Sequence, residues 1–116
     1  MQLNIKATNL ELTPEIKDYV QLKMDMLDKY LGKFKVINAR VEVEKTTNHH
    51  QKGEIYRAEV NLAMAGELLR VEKTEKDLYK AIDKVKDHLD LVIKKYKDKK
   101  IGRKKKKEKL GAMMPE

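Results

Sequence analysis

The stretch Val36–Thr46, "VINARVEVEKT", decides the fold. Ile37, Ala39, Val41 and Val43 alternate with Asn38, Arg40, Glu42 and Glu44, the period of a strand with one apolar and one charged face. Such a strand belongs to a sheet covered on one side and wet on the other. The rest of the chain must therefore supply both its neighbours and its cover. Downstream, "TNHHQKG" (47–53) is a polar connection, after which Tyr56, Ala58, Val60, Leu62 and Met64 alternate with Arg57, Glu59 and Asn61. "AGE" (65–67) makes a tight reversal into the short "LLRVEK" (68–73), whose weaker alternation points Leu69 and Val71 inward and Leu68 and Arg70 outward. Upstream, "QLNIKA" (2–7) sets Leu3, Ile5 and Ala7 against Gln2, Asn4 and Lys6 in a strand ending near Thr8.

The cover comes from two segments with helical spacing. In "LTPEIKDYVQLKMDMLDKYLGK" (12–33), Thr13 can cap and Pro14 fits a first helical turn. Ile16, Val20, Met24, Leu27 and Leu31 form one stripe of a single helix, with Gly32 placed to end it. Farther on, Thr74 offers an N-cap and Asp77 a capping-box partner. The apolar stripe Leu78, Ala81, Ile82, Val85, Leu89, Val92 and Tyr96 then predicts a helix from about Glu75 to Lys99. The order is β-α-β-β-β-α. The expected architecture is an α+β two-layer sandwich: a four-stranded sheet with two helices on one face and its charged face in water.

A chain of 116 residues is about one domain. Its net charge of +8 is unevenly placed: Ile93–Lys109 holds eleven basic and two acidic residues, against sixteen basic and seventeen acidic elsewhere. Outside that run the chain is nearly neutral, and the expected division is a folded body, residues 1–100, followed by a basic tail, residues 101–116, that lacks any apolar period and is expected to be disordered when alone. A single-sign run of this kind binds polyanions, nucleic acid ahead of an acidic membrane surface. With no cysteine, disulfides, thiolate metal sites and cysteine nucleophiles are excluded. No basic-then-apolar leader opens the chain, and no segment nears the roughly 18 uninterrupted apolar residues of a membrane span, so a soluble cytoplasmic protein without membrane partners is expected.

Enzyme chemistry finds little support. There is no Gly-rich phosphate loop, no HxxxH-type pair and no nucleophile elbow, so neither catalysis nor a cofactor is expected. His49 and His50 are adjacent in the polar connection and His88 stands alone on a helix flank, which makes a metal site a poor reading of them. Tyr19, Tyr30, Tyr56, Tyr79 and Tyr96 lie beside the apolar stripes, where core packing is the default and base stacking the alternative. Lys76, Lys80 and Lys84 recur at spacing four, laced with Asp83, Asp87 and Asp90 as on any solvated helix face. Lys94 to Lys107 has almost no acidic compensation, more than the helix dipole can use. A row of ammonium groups on a rigid helix matches a phosphate track, with affinity that is sequence-tolerant and salt-sensitive. Nothing suggests a major-groove recognition helix.

"LTPEIKDYVQLKMDMLDKYL" after a short first strand, "YRAEV" (56–60) in the third, and "DLYKAIDKVKDHLDLVIKKYKDK" (77–99) together resemble the ribosome hibernation-promoting factor and ribosome-associated inhibitor family, also called sigma-54 modulation proteins, over about Met1 to Lys100. The resemblance implies a β-α-β-β-β-α fold related to double-stranded RNA-binding domains. It also implies binding to the small ribosomal subunit between head and body, over the mRNA path and tRNA sites, so that idle ribosomes are held inactive under stress or in stationary phase. By position, Lys17, Lys23 and Lys29 of the first helix and Lys94, Lys95, Lys97 and Lys99 of the second match the family's basic contacts to ribosomal RNA. Arg57, expected on the outer sheet face, Lys80, Lys84, Lys100, Arg103, Lys104, Lys105, Lys106 and Lys107 complete the candidate set. Tyr56, Glu59, Asp77 and Tyr79 match positions read as structural. Two departures stand out: His88 and Leu91 replace basic residues of many relatives, and the chain ends in "KLGAMMPE" without the dimerisation domain of long members. It therefore resembles the short type and is expected to be a monomer off the ribosome. The alternatives are a protein-interaction regulator, such as a sigma-factor modulator, and a general RNA-binding module.

Overall fold

A computed structural model describes residues 1–46 and 53–113, with side chains through residue 102. The elements run β1 (Asn4–Thr8), α1 (Pro14–Asp25), α2 (Asp28–Leu31), β2 (Val36–Thr46), β3 (Ile55–Met64), β4 (Glu67–Glu75) and α3 (Leu78–Met113). They form the α+β sandwich expected, one four-stranded sheet in the order β1-β2-β3-β4. β1 is parallel to β2, which the crossover through α1 permits, and the remaining pairs are antiparallel. His49 and His50 lie outside the described residues.

Register aligns the inner side chains into rows across the sheet. Ile5 stands beside Val41, Val41 beside Val60 and Val60 beside Val71. Onto this surface pack Val20, Met24, Leu27 and Leu31 from the first helical segment and Leu78, Ala81, Ile82, Val85, Leu89, Ile93 and Tyr96 from α3. Every fully buried side chain among the described residues is apolar. At about 1.5–3 kcal/mol for each large aliphatic removed from water, this shared core is the main stabilising term.

Four boundaries differ from the sequence expectation. First, Ile37 is not inward: a register shift between Val36 and Asn38 turns Val36 toward the core and leaves Ile37 71% exposed. A β-bulge adds one residue, and one residue exchanges the two faces. Second, the helix read as continuous from Pro14 to Leu31 breaks at Met26–Leu27. There the Leu27 N–H donates to Met24 O at 3.0 Å, a tightened i→i−3 turn that still buries Leu27. Thr13 caps α1, its Oγ1 accepting from the Ile16 N–H at 3.3 Å, and Gly32 ends α2 at φ 55°. Third, β4 continues to Glu75, opposite Tyr56, so Thr74 belongs to the strand. Asp77 caps α3 instead, its Oδ1 accepting from the Tyr79 N–H at 2.9 Å.

Fourth, α3 passes Lys99 and continues to Met113. Lys, Glu, Leu, Ala and Met all favour helix, and only Gly102 and Gly111 weaken the run. The two-residue β3–β4 turn holds the helix where it leaves the body: Tyr96 donates its hydroxyl to Ala65 O at 3.0 Å, and Lys99 lies 4.0 Å from Glu67. Gly66, at φ 79°, lets the chain reverse there with Lys100 Nζ close by. No helix among the described residues is long and apolar enough to cross a membrane.

Candidate nucleic-acid interface

The two faces of the sandwich differ in how their charges are used. On the outer sheet face the register sets Lys6, Glu42, Glu59 and Glu72 in one row across all four strands. Three carboxylates directly side by side repel, so the row requires cations beside it. Arg57, one row away, supplies them: its guanidinium donates to Glu42, to Glu44 at 2.8 Å and to Glu59 at 2.7 Å, and lies 3.5 Å from Glu72. Arg70 adds contacts to Glu59 at 3.2 Å and to Glu72 at 3.7 Å. Burial disfavours the Arg57 cation, but its hydrogen bonds to Glu44, Glu59 and Glu42 outweigh it and raise its pKa. Glu59 is held below the ordinary carboxylate range, chiefly by the Asn61 amide and then by Arg57. Arg57 is therefore on the outer face, as expected, but it is 16% exposed and its donors are committed to glutamates. It is not brought together with the helical lysines.

The helical layer is organised differently, because four of its carboxylates are paired internally. Asp25 and Asp28 hold the Met1 ammonium at 3.1 and 3.0 Å, and Gln21 donates to Met1 O at 2.7 Å. Asp83 on α3 accepts from the Tyr19 hydroxyl and lies 3.3 Å from Lys23. Asp90 pairs with Lys86 one turn back at 2.9 Å, and Asp90 in turn raises the Lys86 pKa. Glu15, Asp18, Asp87 and Asp98 stay exposed, so the solvent side of the layer carries both signs with lysine in excess.

The candidate lysines fall into groups. Lys17 and Lys80 are exposed on α1 and α3. Lys23 and Lys84 are tied down, Lys23 to Asp83 and beside the Tyr19 ring, Lys84 to Glu75. Lys94 and Lys95 are exposed, and among the described residues no carboxylate lies within 4.0 Å of either. Lys97 reaches across to donate to the carbonyl of Tyr30, which joins the end of α2 to α3 and brings Lys29 and Lys97 around the same tyrosine. Lys99 faces Glu67, and Lys100 lies over the Tyr96 ring, 5.4 Å from its centroid. Arg103, Lys104, Lys105, Lys106 and Lys107 ride on the continuing backbone of α3. Lys33 and Lys35, both exposed and flanking half-buried Phe34 just after α2, extend the basic surface and were not among the expected residues. Their K-F-K spacing was the available signal.

The surface can attract and orient a polyphosphate backbone, with the lysines of the α2–α3 junction fixed by the fold. The family model described as sigma 54 modulation protein / S30EA ribosomal protein matches residues 3–101. A ribosome hibernation promotion factor of Lactococcus lactis subsp. cremoris is 35% identical over 84% of this chain and 50% of its own length. A ribosome hibernation promoting factor of Klebsiella oxytoca is 32% identical over 85% of this chain and 96% of its own length. Among solved structures, the N-terminal domain of Protein Y from Thermus thermophilus superposes with a TM-score of 0.65 at 32% identity, covering 83% of this chain and 99% of that one. Several of the curated relatives are longer, and the chain spans about half their length. With nearly the whole described body matched, the chain belongs to the sigma 54 modulation protein / S30EA ribosomal protein family.

Proposed function

We propose that this protein is a ribosome hibernation factor that acts by occlusion, without catalysis. Residues 1–100 form the ribosome-binding body. It binds the small ribosomal subunit in the decoding channel between head and body, covers the mRNA path and the tRNA sites, and lowers translation by idle ribosomes in the cytoplasm. The observation that carries this reading is the asymmetry of the sandwich: Asp25, Asp28, Asp83 and Asp90 of the helical layer are paired within the fold, while Lys94 and Lys95 stand exposed on α3 next to Lys97, which with Lys29 meets Tyr30. An unbalanced cationic face on rigid helices both attracts phosphates and places the body on them.

Lys17, Lys29, Lys80, Lys94, Lys95, Lys97 and Lys100 are the proposed contacts to ribosomal RNA from the body, and Lys23, Lys84 and Lys99 join them where a phosphate replaces the carboxylate each now faces. The basic segment 101–116, with Arg103 and Lys104 to Lys107, serves as an arm that adds charge without fixing register. Arg57 enters as the organiser of the outer sheet face, because its donors are already committed. That saturation also weakens the reading of the outer face as a docking surface for a regulatory protein.

Sedimentation of the protein with purified small subunits, with and without bound mRNA and initiator tRNA, tests the proposal. Co-sedimentation that is reduced on programmed subunits is expected, together with lower output from a purified translation system. Undiminished binding to fully programmed subunits would overturn the channel assignment. The chain is also expected to be monomeric by light scattering and to leave ribosomes unpaired when it is the sole added factor.

A further inference from the structure

Of the five tyrosines, four have their rings or hydroxyls occupied within the fold. Tyr19 donates to Asp83 and meets Tyr79 edge-on, with ring centroids 4.8 Å apart. Tyr56 donates to Glu54 at 2.8 Å, and Tyr96 is buried against Phe34 with its hydroxyl on Ala65. Tyr30 differs. The residue is 41% exposed, and among the described residues it has neither an aromatic neighbour nor a hydroxyl hydrogen-bond partner.

Its surroundings are those of a nucleobase platform. Lys29 Nζ lies over the ring, 5.0 Å from its centroid, Lys97 is anchored on the Tyr30 carbonyl, and exposed Lys33 follows just past Gly32, which ends the helix. Leu22 on α1 and Met26 at the break before α2 are exposed apolar side chains that precede Tyr30 at four-residue spacing. The nearby carboxylates Asp25 and Asp28 are held by the Met1 ammonium. An exposed ring at the junction of two helices, ringed by lysines, gives a π-face for stacking and cations for the flanking phosphates. Double-helical RNA offers no unstacked base to such a ring, so the ligand is single-stranded.

We propose that Tyr30 stacks on an unpaired base of single-stranded RNA, with Lys29 and Lys97 on the adjoining phosphates. On the ribosome this site deepens the function proposed above and rests on it. It also stands by itself as a property of the isolated protein, which allows the two to fail separately.

The test compares wild type with Tyr30→Phe, which keeps the ring, and Tyr30→Leu, which keeps apolar bulk without a π-face. The first probe is a single-stranded RNA dodecamer carrying 2-aminopurine, whose fluorescence is quenched by stacking, beside the same sequence in a duplex. Wild type and Tyr30→Phe should quench the single strand, and Tyr30→Leu should not quench it and should bind about tenfold more weakly with an unchanged salt slope. The second probe is the small ribosomal subunit, with a photoreactive phenylalanine at position 30. A crosslink to ribosomal RNA supports the stacking site. A crosslink only to a ribosomal protein, or equal quenching by Tyr30→Leu, overturns it. If wild type quenches the dodecamer but does not bind small subunits, the ribosomal function falls and the stacking site stands.

Discussion

The hydroxyl of Tyr19 on α1 donates to the carboxylate of Asp83 on α3, and Lys23 approaches the same carboxylate at 3.3 Å. Residues 64 apart in the chain are thereby coupled across the top of the helical layer. The bond pushes the Tyr19 pKa up to about 12, chiefly through Asp83 itself and then through burial. Lys23 balances the Asp83 charge, which stays 43% exposed.

Tyr19→Phe should cost about 1 kcal/mol in urea unfolding at neutral pH, the usual net worth of one hydrogen bond. The sign of its pH dependence follows from the raised pKa. A folded-state pKa above the unfolded value favours the protonated form, so the stabilisation is fully present below about pH 10 and is lost toward pH 12. The stability difference between wild type and Tyr19→Phe should therefore shrink across that window, measured as the gap between paired denaturation curves.

Arg57→Leu should destabilise by about 2–3 kcal/mol, because Glu42, Glu44, Glu59 and Glu72 would lose their shared cation on a half-buried face. The depressed Glu59 pKa gives wild type a contribution that is present above the ordinary carboxylate range and lost as pH falls through the folded value. In the variant the unpaired glutamates protonate more readily, so acidification should narrow the deficit. A deficit that widens on acidification would contradict the assigned pairing.

At the bulge, Ile37→Ser should change stability by no more than about 0.5 kcal/mol, since the side chain is exposed. Val43→Ala, three alternations along the same strand and fully buried, should cost about 1–3 kcal/mol. Equal losses at both positions would mean that Ile37 packs inward after all.

Lys94→Gln combined with Lys95→Gln should leave thermal unfolding unchanged, because neither side chain has a carboxylate partner among the described residues. Binding to small subunits should weaken, with a salt slope shallower by about 0.7–0.9 for each phosphate that is no longer neutralised. Lys97→Gln should lower both stability and affinity, since its ammonium also joins α3 to the Tyr30 carbonyl. Truncation after Lys100 should flatten the salt slope but allow translation inhibition to return at higher protein concentration. Equal recovery by the truncated chain and by the Lys94, Lys95, Lys97 and Lys99 quadruple Gln variant would show the lysines acting as undirected charge.

The strands, the two helical stripes and the basic end were legible in the sequence because they depend on local periodicity and composition. Val41, Val43, Val60 and Leu62 are inward for the same reason that they alternate with charges. Ile37 was misplaced because a bulge is a property of a pair of strands, and one strand's alternation carries no trace of it. Asp77 displaced Thr74 as the cap because β4 gained pairing with β3 as far as Glu75, a choice made between strands. The same holds for function. Sequence alone determined that this protein carries an excess of lysine and a family pattern. Which of those lysines stay available was decided by tertiary structure, because the carboxylates that neutralise Lys23, Lys84 and Lys99 come from other elements, and charges pair through space rather than along the chain.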